Sequence, residues 1–303
     1  MSDSFLHPEG AQREKPSGYF LTLAVVLFSY VLIGQLPLLI GLSMLEGGLS
    51  AYDGADLHQL SSVLGKNTTL VYLILPFVFA FIALLLSVRF IHKRSFLSVF
   101  TIRKHFDWKR FFTTFLIWGI ILSVFLYLTT QFTGKVFWNF NSKSFIPLFA
   151  ISLLLIPLQT TCEELLFRGY LMQSSAKFLP KGWMVVLFTG MLFGLVHGAN
   201  PEVETLGYSV LTYYIMTGVF LGLLTVFDDG IELSMGYHAI NNIFSALIIT
   251  NDWQAFQTDA IFKDYNPPSF GWESIVTIAV LQPAIIFLFS KLYNWKDIRK
   301  KLF

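Results

Sequence analysis

Glu163-Glu164-Leu165-Leu166-Phe167-Arg168 follows an 18-residue stretch, Phe145 to Cys162, that carries no charge. An ionised side chain near the centre of a bilayer costs about 2.5–3.5 kcal/mol on insertion scales, so charges inside apolar helices are kept where they have a function. Glu164 and Arg168 are spaced i, i+4 with the acid N-terminal, the better orientation for an ion pair on one helix face. Glu163 is rotated about 100° from Glu164 at 3.6 residues per turn and cannot share Arg168 equally. One carboxylate is thereby neutralised, and the other is left for another task. An unpaired carboxylate in an apolar setting is the kind of group that serves as general base or acid near neutral pH.

Two later apolar runs carry polar groups as well. Phe193-Gly194-Leu195-Val196-His197 closes one, and His238-Ala239-Ile240-Asn241-Asn242 sits inside the other. Pro180-Lys181-Gly182 reads as a turn. Glu163 and His197 each lie seventeen residues from Pro180. If the flanking helices pack antiparallel, equal rise on both arms puts the two at one height. Phe193, one turn before His197, would pack beside them. His238 and Asn242 share a helix face at i, i+4. A histidine with a side-chain amide offers the donors that stabilise a tetrahedral oxyanion. Asn241 is expected to serve packing, since membrane helices use such amides as contacts. Cys162 is expected to be a buried packing thiol rather than a nucleophile. Two Glu, an Arg, two His and an Asn in three apolar segments have the composition of a hydrolytic site.

These groups need helices to position them. Apolar residues make up 54% of the 303 and charged ones 13%, against about 25% charged in soluble domains. The chain therefore reads as a polytopic membrane protein. A span needs about 20 mostly apolar residues. Eight candidates are Gly18–Leu45, Asn67–Val88, Phe111–Phe132, Phe145–Arg168, Trp183–His197, Leu206–Phe227, Leu233–Ile249 and Ser274–Leu292. Long uncharged runs without period-2 alternation exclude a closed barrel, the other fold that satisfies its backbone in lipid. The expectation is an all-α membrane protein, a bundle of about eight transmembrane helices. It has a cytoplasmic tail over 1–17 and one polytopic domain over 18–303. The single Cys162 excludes an intrachain disulfide. With the N-terminus inside, sixteen of the 21 Lys and Arg fall in inner segments and four in outer ones, Arg168 being left aside. That bias places both termini in the cytoplasm. The loop Phe90 to Arg110 mixes aromatics with cations, as an interfacial segment against an anionic leaflet does. Nucleic acid is not expected as a partner; the lipid bilayer is.

Glu-Glu-x-x-x-Arg, then Phe-x-x-x-His, then His-x-x-x-Asn, in this order in three membrane segments, resembles the CAAX protease and bacteriocin-processing (Abi) family of intramembrane glutamic endopeptidases. The likeness covers about 145–250, and Arg168-Gly169-Tyr170-Leu171 extends its first motif. The resemblance implies an endopeptidase acting on membrane-associated or lipidated peptide or protein substrates, with no obligatory cofactor. It implies that Glu163 activates water with His197 beside it, and that His238 and Asn242 form the oxyanion site. Glu164, Arg168 and Phe193 then support the site. Two other readings remain open. Glu163, His197 and His238 offer a carboxylate and two imidazoles, a set that a catalytic zinc would use, although no His-Glu-x-x-His helix is present. A non-catalytic immunity or scaffold protein is the other. The economy of the loops points to a bacterial inner (plasma) membrane.

Overall fold

Where no water is available to the backbone, its polar groups must pair within each segment, and this chain pairs them as helices. The structure, a computed structural model, describes residues 4–8 and 14–303. Among the described residues, seven helices are long and apolar enough to cross a membrane: α1 (Pro16–Ser43), α2 (Lys66–Phe90), α3 (Trp108–Thr133), α4 (Ser142–Ser175), α5 (Gly182–Ala199), α6 (Val210–Asp228) and α8 (Trp272–Leu292). Between the last two lies α7 (Glu232–Leu247). Local sequence sets several of the ends. Asp107 caps α3 by accepting from the amides of Lys109 and Arg110, and Gly134 closes it with a left-handed residue. Asn141 caps α4 through the Lys143 amide.

The seventh expected span is the exception in length. At 1.5 Å per residue, the 16 residues of α7 span roughly 24 Å, short of the ~30 Å hydrocarbon core. Twelve of those residues are buried. Protein rather than lipid surrounds this helix, so neither its length nor its polarity is set by the bilayer. It crosses α3 where Gly236 meets the carbonyl of Phe111, a contact that any Cβ would obstruct.

The chain ends share one end of the bundle. Phe5 N donates to Asp229 Oδ1 at 3.3 Å, and Lys301 pairs with the other oxygen of Asp229. Asp229 itself sits in the α6–α7 turn. Two ends on one side require an even number of crossings, so α7 counts as an eighth pass beside the seven long helices. The same end holds an ionic cluster. Arg103 bridges Asp228 at 2.9 Å and Glu232 at 3.1 Å, and Arg110 also reaches Asp228. Residues 1–3 and 9–13 of the expected tail, Arg13 included, lie outside the described residues. Phe5 and Leu6 are buried against the bundle.

The opposite end is closed by a small sheet of order β1-β3-β2, formed by β1 (Val136–Trp138), β2 (Ile249–Thr250) and β3 (Phe262–Asp264). β1 runs antiparallel to β3 and β2 parallel to it. Lys66 meets Asp259 there at 2.7 Å.

Candidate active site

Three helices supply the polar groups, and each residue named from sequence can be placed. α4 carries Glu163, Glu164 and Arg168. Over Leu165–Leu171 it widens into a π-helical turn, a local expansion that is frequent at functional sites because it re-aims side chains. Glu164 is fully buried, and its Oε1 receives Arg168 Nη1 at 2.8 Å. That is the expected i, i+4 pair. Arg168 Nη2 also donates to the main-chain oxygen of Gly218 at 3.2 Å. This carbonyl is reachable because α5 and α6 meet at glycines. A Cβ on Gly190 would come 2.8 Å from the Val219 nitrogen, and one on Gly194 would come 2.9 Å from that of Ile215.

The α4–α5 hairpin has the expected register. Phe167 and Phe193 each lie thirteen residues from Pro180, and their rings meet edge to face at 5.3 Å. The guanidinium of Arg168 lies 4.1 Å over the Phe193 ring, a favourable cation–π position in a desolvated setting. Phe193 stands between the two histidines, 4.5 Å from the ring of His197 and 5.9 Å from that of His238. His197 Nδ1 lies 2.7 Å from the carbonyl oxygen of Phe193. A carbonyl only accepts, so Nδ1 carries a proton and Nε2 is the ring nitrogen left without a hydrogen bond among the described residues. Tyr214 stacks on the same imidazole at 4.4 Å and 25°.

α7 places His238 against both glutamates. His238 Nδ1 donates to Glu164 Oε1 at 2.8 Å. On the other side, Nε2 lies 3.3 Å from Glu163 Oε2. That contact is at ion-pair distance but off the hydrogen-bond direction, so Glu163 Oε2 keeps no hydrogen-bond partner among the described residues. Glu164 thus takes Arg168, as their spacing requires, and holds His238 as well. Asn242 Nδ2 donates to Gln159 Oε1 at 3.1 Å and lies 3.5 Å from His238 Nε2. Asn241 makes the interhelical contact expected of it, with Trp118 Nε1 on α3 donating to its Oδ1 at 3.2 Å, and its Nδ2 also donates to Asn242 Oδ1 at 3.3 Å. Cys162 is buried among core side chains.

Gln159, Trp118 and Tyr214 escaped the sequence reading. Gln159 left a faint signal, a polar residue one turn before Glu163 in an uncharged run. The other two are aromatic side chains in apolar helices and left none. Just past His197, Glu202 accepts from Ala255 N at 2.9 Å through one oxygen, while the other has no partner among the described residues. Burial pushes its carboxyl up from the ordinary range, against the lowering effect of the Ala255 amide. No three His, Cys, Asp or Glu among the described residues are grouped as a metal set.

A model of the Rce1-like family, described as type II CAAX prenyl endopeptidase Rce1-like, matches residues 142–244. That range holds every polar residue of the site. YyaK of Bacillus subtilis (strain 168), an uncharacterized protein, is 32% identical over 211 residues, covering 67% of this chain and 69% of that one. The chain belongs to the Rce1-like family. No solved structure matches it. Family membership and the seven long apolar helices make it an integral, multi-pass membrane protein of a CAAX-type endopeptidase family. In this Rce1-like chain the matched stretch runs from the first residue of α4 into α7, so the helices that build the site are also those that carry the likeness.

Proposed function

We propose that the protein is an intramembrane endopeptidase that hydrolyses peptide bonds of membrane-associated or lipidated substrates through a water activated by Glu163. The observation that carries the reading is the unequal fate of two adjacent carboxylates. Glu164 is consumed by Arg168 and His238, while Glu163 Oε2 faces His238 Nε2 at 3.3 Å without a hydrogen bond. Glu163 takes a proton from water as the hydroxide adds to the scissile carbonyl, and returns it to the departing amine. His197, its Nδ1 tied to a carbonyl, presents Nε2 to hold the water's second proton. Both nitrogens of His238 donate only in the imidazolium form. In that form the charges of Glu163, Glu164, Arg168 and His238 sum to zero, and Nε2–H joins the second proton of Asn242 Nδ2 at the oxyanion. The substrates enter from the bilayer of a bacterial inner membrane, with both termini of the enzyme in the cytoplasm.

The test is cleavage of a panel of lipidated and unmodified fluorogenic peptides by protein reconstituted in liposomes. Glu163→Gln should lower turnover by about 10²–10⁴, the usual contribution of a general base, without loss of fold. Full activity in that variant would defeat the reading. Activity lost on chelation and restored by zinc would favour the metal-dependent alternative using Glu163, His197 and His238. No cleavage of any peptide, with unchanged fold, would favour a scaffold or immunity role.

A further inference from the structure

Four side chains near the site form a hydrogen-bonded series that runs in one direction. Trp118 Nε1 donates to Asn241 Oδ1 at 3.2 Å. Asn241 Nδ2 donates to Asn242 Oδ1 at 3.3 Å, and Asn242 Nδ2 donates to Gln159 Oε1 at 3.1 Å. The direction is fixed by its first member. An indole nitrogen is a donor only, so it holds the oxygen of Asn241 toward itself and turns the amide nitrogen away. Each following amide must then present its oxygen backward and its nitrogen forward. The series ends on Gln159 Nε2, which makes no hydrogen bond among the described residues and is not one of their fully buried unpartnered atoms, so this donor reaches accessible space although the residue as a whole is buried. Gln159 lies four residues before Glu163 on α4, hence on the same helix face one turn away.

We infer that Gln159 is a further catalytic residue, the terminal donor of this amide relay, and that its Nε2–H meets the carbonyl oxygen of the bound substrate as charge develops there. The inference rests on the peptidase reading of the site and deepens it. Asn242 spends one of its two protons on Gln159, so on its own it offers at most one to an oxyanion. The relay passes that donor power on. Each amide whose nitrogen donates is a better acceptor for the amide behind it, and chains of this kind strengthen one another in a low-dielectric interior. Trp118 anchors the relay from α3. It is 1% exposed and stacks on Tyr237 at 4.4 Å, so the first acceptor is held in place before substrate arrives. A pre-oriented donor needs no reorganisation at the moment of reaction, which is the condition under which such donors contribute most.

The experiment compares wild type, Gln159→Met, Asn241→Leu and Glu163→Gln in liposomes with one fluorogenic lipidated peptide, and measures binding of a peptide aldehyde whose hydrate mimics the tetrahedral adduct. Gln159→Met should lower kcat by about 10²–10³, the usual loss for one oxyanion donor, with KM within about twofold. Aldehyde affinity should fall in step with kcat. Asn241→Leu leaves Gln159 in place but cuts the relay, and should lower kcat in the same direction by about threefold to tenfold, as loss of a supporting hydrogen bond of ~1 kcal/mol does. If Gln159→Met fails to fold, Asn241→Leu decides the matter alone. An active wild type, an inactive Glu163→Gln and unchanged kcat in Gln159→Met or, failing that variant, in Asn241→Leu would overturn the relay only. A rise in KM with kcat intact would also overturn it, since Gln159 would then bind substrate without favouring the transition state. A wild type whose peptide turnover is absent, or insensitive to Glu163→Gln, would overturn the reading of the site and the relay with it.

Discussion

His238 Nδ1 and Arg168 Nη1 both donate to one oxygen, Glu164 Oε1, each at 2.8 Å. A single buried carboxylate oxygen thus fixes an imidazole on α7 and a guanidinium on its own helix. Glu164→Gln should lower stability, because breaking a buried pair leaves the other charge uncompensated, at a cost of roughly 3–5 kcal/mol. It should also impair turnover, since His238 loses the group that orients it. Glu163→Gln should lower the melting temperature in detergent by less, because Glu163 Oε2 meets only His238, at 3.3 Å and without a hydrogen bond. Melting curves and turnover measured side by side on the two variants check this. A stable, inactive Glu164→Gln beside an active Glu163→Gln would mean that the roles are exchanged.

Arg168→Lys keeps the charge but not the fork. An ammonium cannot reach Glu164 Oε1 and Gly218 O together while lying flat over Phe193, because it lacks the planar array of donors. The expected loss is about 1.5–3 kcal/mol, the range for one hydrogen bond to a charged group, read from chemical or thermal unfolding in detergent.

How much of this was legible beforehand depends on distance along the chain. The Glu164–Arg168 pair and the facing of Phe167 and Phe193 follow from helical spacing and from a turn at Pro180, both local. The eight passes follow from hydropathy, with α7 read by the same rule although protein rather than lipid surrounds it. The Glu164–His238 bond joins positions 74 apart, and the Trp118–Asn241 bond joins positions 123 apart. No spacing rule reaches that far. A tryptophan in an apolar run looks the same whether it faces lipid or anchors an amide, so its role emerged only once α3 and α7 were packed together.

The glycine contacts of α5 set where Phe193 and His197 stand. Gly194→Ala would bring a Cβ to 2.9 Å from the Ile215 nitrogen, and backbone cannot yield as a flexible side chain does. The helices must part, and overpacking of this kind costs about 1–3 kcal/mol. Turnover should fall more than stability suggests, because Phe193 and His197 move with α5. Unfolding free energy and kcat of the same preparation separate the two effects.

Glu202 gives a pH-dependent prediction. Burial raises its carboxyl above the unperturbed 4.5, so the folded state holds the proton more tightly than the unfolded one. Stability from this group is complete below the ordinary carboxylate range and is lost as pH rises through the folded value. Glu202→Gln keeps an acceptor for the Ala255 amide and cannot ionise. It should match wild type at about pH 4 and melt higher at about pH 7–8, where wild type carries the penalty of a buried charge. Melting temperatures across that range check it, and a variant less stable than wild type at neutral pH would refute it.

Asp229 joins the amide of Phe5 to the ammonium of Lys301, and this bears on how the protein is made. A ribosome delivers Phe5 first, Asp229 much later and Lys301 last, so the early segment waits for its carboxylate, and the joint tightens only when the last helix has been released. Fusion partners placed ahead of Phe5 therefore load the same joint as truncations of the final helix, and the two kinds of alteration should fail alike during biogenesis.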